Sequence, residues 1–438
     1  MSRRNFILFI IVLTIIIIGV LGFLYFYQGR VAPGDGTGTN FISKFNPFGG
    51  SATTPPASTP PPVDVSGYIP PSGVEASVAK LIKVSSMPVA GLGVFSKERY
   101  VEVPPVQTEG EVVAPKKQTP PKTEFAPAVR YVAKTTGHIY QTFADKIQEV
   151  KFSGTVVPKV HDAYFGNKGE SVVMRYLKAD EKTIESFVGT LPKEVVGKET
   201  STENEIKSSF LPNNVTDLSI APDDLKIFYL FNLSDSVVGT TLTFLNGSKV
   251  QIFDSPFTEW LSGWPNSNLI TLTTKPSFGV PGYMYTMNSA GKNLIKALGD
   301  INGLTTLTSP DGKLVLFAND NLSLSIYNIS TRSVSALGVR SLPEKCVWGR
   351  ESKSIYCFVP KLVPTGRYPD SWYQGEVSFS DQLWKIDAVS GNTTLLLDPT
   401  SVPEGENIDG IKPATDAGEK YLFFVNKKDS FLWRLDLR

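Results

Sequence analysis

Short apolar stretches separated by polar turns recur along most of the chain after residue 160. In the clearest copy, Leu307–Phe317 (LTSPDGKLVLF), a short strand leads into a four-residue polar turn and then into a more apolar strand. Five further stretches share this plan: Phe165–Met174, Ile220–Tyr229, Gly263–Leu272, Trp348–Cys357 and Ala414–Phe424. Apolar runs bounded by Gly, Pro, Asn and Asp are typical of β-hairpins, so the pattern predicts an all-β protein built from repeats.

The spacing of these copies gives the size of the repeating unit. Most steps between neighbouring copies are about 40–45 residues, the length of a four-stranded propeller blade, and the longer steps contain Pro-rich or polar insertions. After the apolar strand of the clearest copy, a third strand, a turn and a fourth strand follow within Asn321–Gly338. We therefore expect a seven-bladed β-propeller, with six or eight blades as the alternatives.

The last copy reaches the end of the sequence at Arg438 before a fourth strand can form. Ring-closed propellers often take such a strand from the other end of the domain, since closure removes exposed sheet edges. Ala79–Val84 (AKLIKV) is suited to this role. Met87–Phe95 then becomes the inner strand of the first blade.

The turn Ser309–Lys313 (SPDGK), together with Leu383, Trp384 and Asp387 in a later strand, resembles the PD40 repeat of the WD40-like, TolB-type β-propeller family. The resemblance covers about Val78–Arg438. It implies a propeller fold and functions that range from binding partners in the periplasm to gating serine peptidases. Because this range is wide, the resemblance does not assign an activity.

An uncharged run of 22 residues, Phe6–Tyr27, lies near the start of the chain. As a helix it would be about 33 Å long, enough to cross the hydrocarbon core of a bilayer. Arg3 and Arg4 precede the run and aromatic residues close it, which favours a transmembrane anchor over residues 1–29 with its N-terminus in the cytoplasm. A cleaved signal peptide is the alternative, and both place the propeller outside the cytoplasm.

Residues 30–72 are rich in Gly, Pro, Ser and Thr. Such a composition buries too little apolar surface to fold, and its proline runs are stiff, so it predicts a disordered stalk. The propeller domain is then expected over residues 73–438. Three insertions are expected to interrupt it, at 96–127, 191–213 and 361–378.

Composition and motifs exclude several classes of function. The chain has 43 basic and 42 acidic residues, so it lacks the positive charge that is typical of nucleic-acid-binding proteins. It contains two His and two Cys residues, no Asp-rich calcium loop, no Gly-rich phosphate loop and no G-x-S-x-G motif. We therefore expect no metal, no cofactor and no identifiable catalytic residue.

The two cysteines are predicted to face each other. If Arg350–Lys353 forms the loop of a hairpin, Cys346 lies opposite Cys357 at a separation that a disulfide can bridge. An extracytoplasmic compartment permits this oxidation. Two buried free thiols are the alternative.

Acidic residues recur where inner strands are expected to begin: Asp162, Asp217, Glu259, Glu344 and Asp409. In a propeller these positions approach one rim of the central channel, so they are candidates for an acidic funnel that binds a cation or a cationic ligand. His161 and Trp260 adjoin two of them and belong to the same candidate rim. The alternative is a set of solvated polar residues in loops. Asp311, by contrast, is expected to hold a turn.

The insertion at 361–378 (KLVPTGRYPDSWYQGEVS) combines residue types that dominate protein-recognition sites. The candidate partner-binding residues, expected to be exposed, are Arg367, Tyr368, Asp370, Trp372 and Tyr373. A loop folded back onto its blade with half-buried aromatics is the alternative. We expect 191–213, Lys275–Gly282 and 361–378 on one face of the propeller, and 96–127, interpreted as a flexible arm, on the other.

These patterns favour a membrane-tethered, extracytoplasmic propeller that binds or scaffolds a protein or an envelope polymer without catalysing a reaction. The first alternative is a hydrolase or lyase that uses the acidic residues at the channel mouth. The second is a structural spacer in an envelope assembly. Two carboxylates and a His in hydrogen-bond contact at the funnel would favour the enzyme, whereas an exposed aromatic patch would favour binding.

Overall fold

In the computed structural model, the described residues 81–101, 121–196, 204–402 and 405–438 form seven four-stranded antiparallel sheets. The sheets are the blades of a β-propeller, and the first strands of neighbouring blades contact each other around the centre. The prediction of seven blades is confirmed. The predicted anchor (1–29) and stalk (30–72) lie outside the described residues, and no helix within those residues is long and apolar enough to cross a membrane.

The strands of each blade follow in chain order from the inside outward. Blade 1 contains β2 (Val89–Tyr100), β3 (Thr123–Ala133), β4 (Ile139–Phe143) and β5 (Val150–Lys151). Blade 2 contains β6 (Val160–Gly166), β7 (Ser171–Leu177), β8 (Ile184–Thr190) and β9 (Lys207–Phe210). Blade 3 contains β10 (Val215–Ile220), β11 (Lys226–Leu233), β12 (Ser236–Thr243) and β13 (Lys249–Ser255). Blade 4 contains β14 (Trp260–Asn266), β15 (Leu269–Thr274), β16 (Pro281–Asn288) and β17 (Ile295–Asn302).

The remaining blades repeat this arrangement. Blade 5 contains β18 (Thr305–Thr308), β19 (Leu314–Ala318), β20 (Ser323–Asn328) and β21 (Val334–Arg340). Blade 6 contains β22 (Cys346–Trp348), β23 (Ser354–Pro360), β24 (Asp381–Asp387) and β25 (Thr393–Leu397). Blade 7 contains β26 (Gly410–Thr415), β27 (Tyr421–Asn426), β28 (Leu432–Asp436) and, outermost, β1 (Leu81–Lys83). A short helix α1 (Asp370–Tyr373) and two 3-10 turns (Pro343–Lys345 and Pro399–Ser401) complete the described elements.

The ring closes as the sequence predicts. β1 pairs antiparallel with β28, with Leu81 opposite Leu435 and Lys83 opposite Trp433. The N-terminal strand therefore supplies the outer strand that blade 7 lacks. Without it, the edge of β28 would present unpaired backbone groups.

This pairing gives a direct test of the architecture. A chain without residues 1–67 is expected to be a soluble, β-rich monomer, because it keeps β1 and the whole ring. A chain without residues 1–86 is expected to associate or aggregate, because the edge of β28 is then free to pair with other chains. Size-exclusion chromatography and circular dichroism of both proteins measure this. A helical spectrum, or two equally monomeric proteins, would contradict the proposed closure.

The SPDG stretch forms the turn between β18 and β19. The Asp311 carboxylate accepts hydrogen bonds from the Ser309 hydroxyl (2.6 Å) and the Lys313 backbone N–H (3.1 Å). Gly312 has a φ of +74°, which a residue with a Cβ adopts only at a cost. Asp311 is thus a turn residue, as its sequence context predicts.

Neighbouring blades pack face to face through apolar side chains. Between blades 1 and 2, for example, Ala90, Val132, Val172 and Met174 belong to one buried cluster. The second strand of a blade is covered on both sides, and every residue of β27 is buried. Burial on both faces explains why the second strand of each sequence repeat is the more apolar one.

Bulges near the start of several inner strands shape the channel. In blades 2, 3 and 7 the pairing register shifts between Val160 and Asp162, between Val215 and Asp217, and between Ile411 and Ala414. A bulge inserts an extra residue and re-aims the side chains beside it. Asp162, Asp217 and Lys412 all lie at these shifts.

The prediction of a flexible arm at 96–127 is wrong for the residues of this segment that the structure describes. β2 and β3 continue beyond the blade as a paired ribbon, in which Lys97 lies opposite Ala126 and Tyr100 opposite Thr123. The Arg99 guanidinium contacts Glu124 (2.7 Å) and Asp145 (2.6 Å). Backbone pairing and these ion pairs order the ribbon, while residues 102–120 lie outside the described residues.

The prediction that 191–213 lies on the same face as Lys275–Gly282 and 361–378 is also wrong. This segment contains β9, so residues 191–206 connect the third and fourth strands of blade 2. In an antiparallel meander such a connection lies on the face opposite to Lys275–Gly282 and 361–378. All four residues of β9 (KSSF) are exposed, so its sequence carries no apolar alternation that would identify a strand.

Candidate functional site

Asp162 is held at the channel by two cations from other strands. Lys412 of blade 7 contacts its carboxylate and also donates to the Ala90 carbonyl oxygen (2.7 Å). Arg175 of β7 lies 3.3 Å from the other carboxylate oxygen. Burial raises the pKa of Asp162, but Lys412 and Arg175 outweigh burial and hold that pKa below its usual value.

Asp217 has a different environment although it occupies the corresponding bulge of blade 3. One of its oxygens accepts hydrogen bonds from the Ser262 backbone N–H (2.5 Å) and hydroxyl (2.7 Å). Among the described residues no Lys or Arg forms an ion pair with it. Burial therefore raises the pKa of Asp217 to about 6, against the opposing effect of the Ser262 hydrogen bonds.

A cavity of about 450 Å³ adjoins Asp217 inside the ring. Hydroxyl, carboxyl and indole side chains contribute to its wall, namely Tyr164, Asp217, Ser262, Trp264, Thr308 and Glu344. Its volume is in the range of small-molecule sites. The Glu344 carboxylate accepts a hydrogen bond from the Tyr373 hydroxyl, and burial raises the pKa of Glu344.

The expected acidic funnel is therefore only partly present. Asp162, Asp217 and Glu344 surround the channel, but Asp162 is neutralised by two cations, so the rim is not uniformly acidic. Glu259 is exposed and paired with Lys275 (2.8 Å) outside this group. The candidate acidic residues therefore do not form one group of like charge. Arg175 faces Asp162 across the β6–β7 hairpin, and Lys412 reaches Asp162 from a strand 250 residues further along the chain.

Two further candidate rim residues do not join the channel group. Trp260 is 6% exposed, packs against Phe253 and Tyr285, and donates its indole N–H to the Phe257 carbonyl oxygen (2.8 Å). It is a core residue and is not available to a ligand at the rim. His161 is exposed, but partial loss of solvent around its ring, followed by the positive charge of Arg175, lowers its pKa.

The 361–378 insertion folds back onto the propeller. Tyr368 is 3% exposed and Trp372 4% exposed, and both pack with Leu322, Leu342 and Phe379. The expected exposure of Tyr368 and Trp372 is wrong, because these rings find an apolar surface that the sequence does not reveal. Arg367 is exposed as predicted, Asp370 is half-buried, and Tyr373 is 40% exposed.

Trp372 reaches a buried charged group that sequence reasoning missed. Its indole N–H lies 3.1 and 3.2 Å from the two carboxylate oxygens of Asp409. Asp409 also contacts Lys345, whose ammonium lies 2.8 Å from Asp381. We call Lys345, Asp381 and Asp409 the buried triad; each has a fully buried side chain. The burial of Lys345 and Asp381 could not be predicted from the sequence, because a Lys next to Glu344 and an Asp at the start of a strand are typical of surface residues.

Asp370 joins the two long loops of the insertion face. Its carboxylate accepts hydrogen bonds from the Phe278 backbone N–H (2.5 Å) and the Ser277 hydroxyl (3.2 Å) of the blade 4 loop. Exposed apolar side chains lie in the loops of this face, namely in the blade 4 loop, in the insertion and in the connection from β13 to β14. We define the insertion-face patch as Phe257 (70% exposed), Phe278 (45%), Val280 (53%) and Tyr373 (40%).

The cysteines occupy the predicted register. Cys346 of β22 lies directly opposite Cys357 of β23, and a disulfide joins them. The bond links the two inner strands of blade 6 immediately after Lys345. Both half-cystines are buried in the core between blades 5 and 6.

No protein-family model matches this chain, and no curated protein matches it in sequence. Among solved structures it is similar to an oligogalacturonate lyase from Vibrio parahaemolyticus, at 10% identity over 72% of this chain and 86% of that one, with a TM-score of 0.47. An oligogalacturonate lyase in complex with manganese is similar at 11% identity over 71% of this chain and 85% of that one, with a TM-score of 0.42. A chain of a mitotic checkpoint complex is similar at 10% identity over 71% of this chain and 86% of that one, with a TM-score of 0.46.

Proposed function

We propose that this chain is a membrane-tethered, extracytoplasmic β-propeller that binds a protein partner through the insertion-face patch. The apolar run Phe6–Tyr27 would anchor it, and residues 30–72 would hold the ring away from the bilayer. The SPDGK turn and its resemblance to TolB-type propellers are compatible with partner binding, which is one of the functions in that family's range. Partner binding uses the exposed loops and requires no reaction in the channel.

The observation that carries this proposal is the junction at Asp370. It fixes two loops from blades 4 and 6 against each other, so the side chains beside it are presented on an ordered surface. Two Phe residues, one Val and one Tyr are exposed in the loops of this face, and aromatic side chains on an ordered surface dominate protein-recognition energetics. Arg367 is exposed on the same insertion and adds a residue type common at such sites.

The proposal is tested by crosslinking with mass spectrometry on cells that carry the full chain. The double variant Phe257→Ala/Phe278→Ala is expected to reduce partner crosslinks at least about tenfold, since hot-spot side chains each contribute about 2 kcal/mol or more. The matched control is Leu245→Ala/Val389→Ala, which removes two apolar side chains that are at least as exposed (71% and 82%) but lie in turns of the opposite face. Equal crosslinking of wild type and both variants would contradict partner binding at the patch.

A second candidate function is supported by the channel. Asp217 has a pKa of about 6 and adjoins the cavity of about 450 Å³ together with Glu344. A carboxyl group with such a pKa exchanges protons near neutral pH, as a general acid or base must. This candidate is a hydrolase or lyase acting on an envelope polymer. The test is the turnover of an envelope polymer by the wild-type chain. If this activity is lost in both Asp217→Asn and Glu344→Gln but is kept in Phe257→Ala/Phe278→Ala, the result favours the enzyme over partner binding.

A further inference from the structure

The buried triad brings a lysine ammonium and two carboxyl groups together in the dry interior of the propeller. Lys345 lies in the 3-10 turn before β22, Asp381 begins β24, and Asp409 precedes β26. The ammonium contacts Asp409 and lies 2.8 Å from Asp381 Oδ2. Burying an ammonium and two carboxylates is costly, so three such groups at one point require a specific explanation.

The two carboxyl groups have unequal partners. Asp409 accepts hydrogen bonds from the Trp372 indole, the Ser378 hydroxyl (3.1 Å) and the Phe379 backbone N–H (3.0 Å), in addition to its contact with Lys345. Burial raises its pKa, but Lys345 and these donors outweigh burial and hold the pKa below its usual value. Asp409 is therefore the anion of the group.

Asp381 is the carboxyl group that takes up a proton. Its Oδ2 accepts from Lys345 and from the Gly410 backbone N–H (2.7 Å), whereas its Oδ1 is buried with no hydrogen-bond partner. Burial raises the pKa of Asp381 to about 6, more than Lys345 lowers it. A neutral carboxyl group is an electrophile towards an amine, whereas a carboxylate is not.

The surroundings favour condensation over a simple ion pair. The rings of Trp372 and Phe379 lie 5.1 and 5.4 Å from the Lys345 ammonium, and both rings are buried. Water is thereby kept from the nitrogen and from the carboxyl carbon, which is one covalent bond from Asp381 Oδ2. Fixed proximity in a site without bulk water is the condition under which an amine and an acid react fastest.

We propose that Lys345 and Asp381 condense to form an intramolecular isopeptide bond. Lys345 transfers a proton from its ammonium to Asp409, and the resulting amine attacks the Asp381 carboxyl carbon. The Gly410 N–H stabilises the negative charge that develops on Oδ2. The N–C bond forms, the bond from that carbon to Oδ1 breaks, and Oδ1 leaves as water with the carboxyl proton and a proton from the nitrogen. Asp409 ends protonated, so atoms and charge balance without an oxidant or co-reactant.

The bond would secure the 361–378 insertion covalently. Residues 346–380 become a closed loop that contains the whole insertion, and the Cys346–Cys357 disulfide lies within the same loop. Closing a loop restricts the unfolded chain and so stabilises the folded one. On the extracytoplasmic location proposed above, the bond would keep the insertion in place, and with it the blade 4 loop that Asp370 holds, in a compartment without chaperones powered by ATP.

The test is the mass of the full-length chain, extracted from membranes, reduced and alkylated. The expected mass is lower than the sequence mass by one water molecule. Trypsin is then expected to release a branched peptide in which Lys345, within 341–350, is joined to Asp381, within 368–385, and cleavage after Lys345 is blocked. The matched control is the ion pair of Lys361 and Asp398, whose nitrogen and oxygen lie 2.7 Å apart but whose side chains are 31% and 22% exposed. No bond is expected to form there, so trypsin is expected to cleave after Lys361.

Asp409→Asn tests the proton acceptor. The variant is expected to lose at least nine tenths of the branched peptide, while Asp381→Ala loses all of it. A wild-type chain at its full sequence mass, cut normally after Lys345, would overturn the proposal, and this result does not depend on whether a variant folds. A branched peptide of wild-type abundance in Asp409→Asn would overturn the role of Asp409.

Discussion

Trp372→Ala is expected to lower the free energy of unfolding of the propeller by about 3–5 kcal/mol, the range for removing a large buried aromatic side chain. The ring is 4% exposed and lies between Phe379 and the Lys427 ammonium, 4.1 Å from the ring centroid. Its removal leaves a cavity and takes a hydrogen-bond donor from the buried Asp409 carboxylate. Both losses act on the folded state, so the midpoint of denaturation falls.

The measurement is urea unfolding of the chain without residues 1–67, followed by tryptophan fluorescence and circular dichroism. Arg367→Ala is the matched control, because it lies in the same insertion but is exposed; its effect is expected to stay within about 0.5 kcal/mol. If Trp372→Ala is as mild as Arg367→Ala, the insertion is not packed on the ring. The sequence-based expectation of an exposed recognition loop would then be restored.

The features that sequence reasoning predicts correctly depend on local patterns. A polar turn between a weaker and a stronger apolar strand repeats at blade length, and this repetition determines both the fold and the blade number. The opposition of Cys346 and Cys357 follows from one hairpin loop. The closing strand follows from a missing fourth strand and from an apolar stretch before the first blade. The repeat and the hairpin require knowledge of neighbouring residues alone. The closing strand, in which Leu81 pairs with Leu435, follows from the repeat together with the rule that a closed ring leaves no open sheet edge.

The features that sequence reasoning misses depend on contacts between distant segments. Trp372 and Asp409 are 37 residues apart, and Lys412 and Asp162 are 250 apart. A loop that contains Tyr, Trp and Arg has the same composition whether it binds a partner or packs on its own domain. The bulges that re-aim Asp162 and Asp217 also leave no signal, because the residues around them alternate like those of a regular strand.

Asp217→Asn is expected to stabilise the protein at pH 8 by up to about 3 kcal/mol and to change its stability at pH 4 by less than about 1 kcal/mol. Burial raises the pKa of Asp217 from 3.8 to about 6 in the folded state. Between these values the folded chain binds a proton that the unfolded chain does not, so wild-type stability falls as pH rises through this interval. Asn carries no charge to desolvate and keeps an oxygen that accepts from Ser262.

The free energy of unfolding of wild type and variant is measured with urea from pH 4 to pH 8. Burial also raises the pKa of Asp224 to about 6, which makes the stability of both proteins fall with pH, so the difference between them isolates Asp217. Asp398→Asn is the control of opposite sign. Lys361 and Thr400 outweigh burial and lower the pKa of Asp398 to about 2, so its contribution to stability is present throughout this range and is lost as pH falls towards 2. Asp398→Asn should therefore destabilise with nearly constant magnitude across pH 5–8. A constant effect of Asp217→Asn over the same range would show that the carboxyl group is hydrated and that the cavity beside it is open to solvent, which would remove the basis for any proton transfer there.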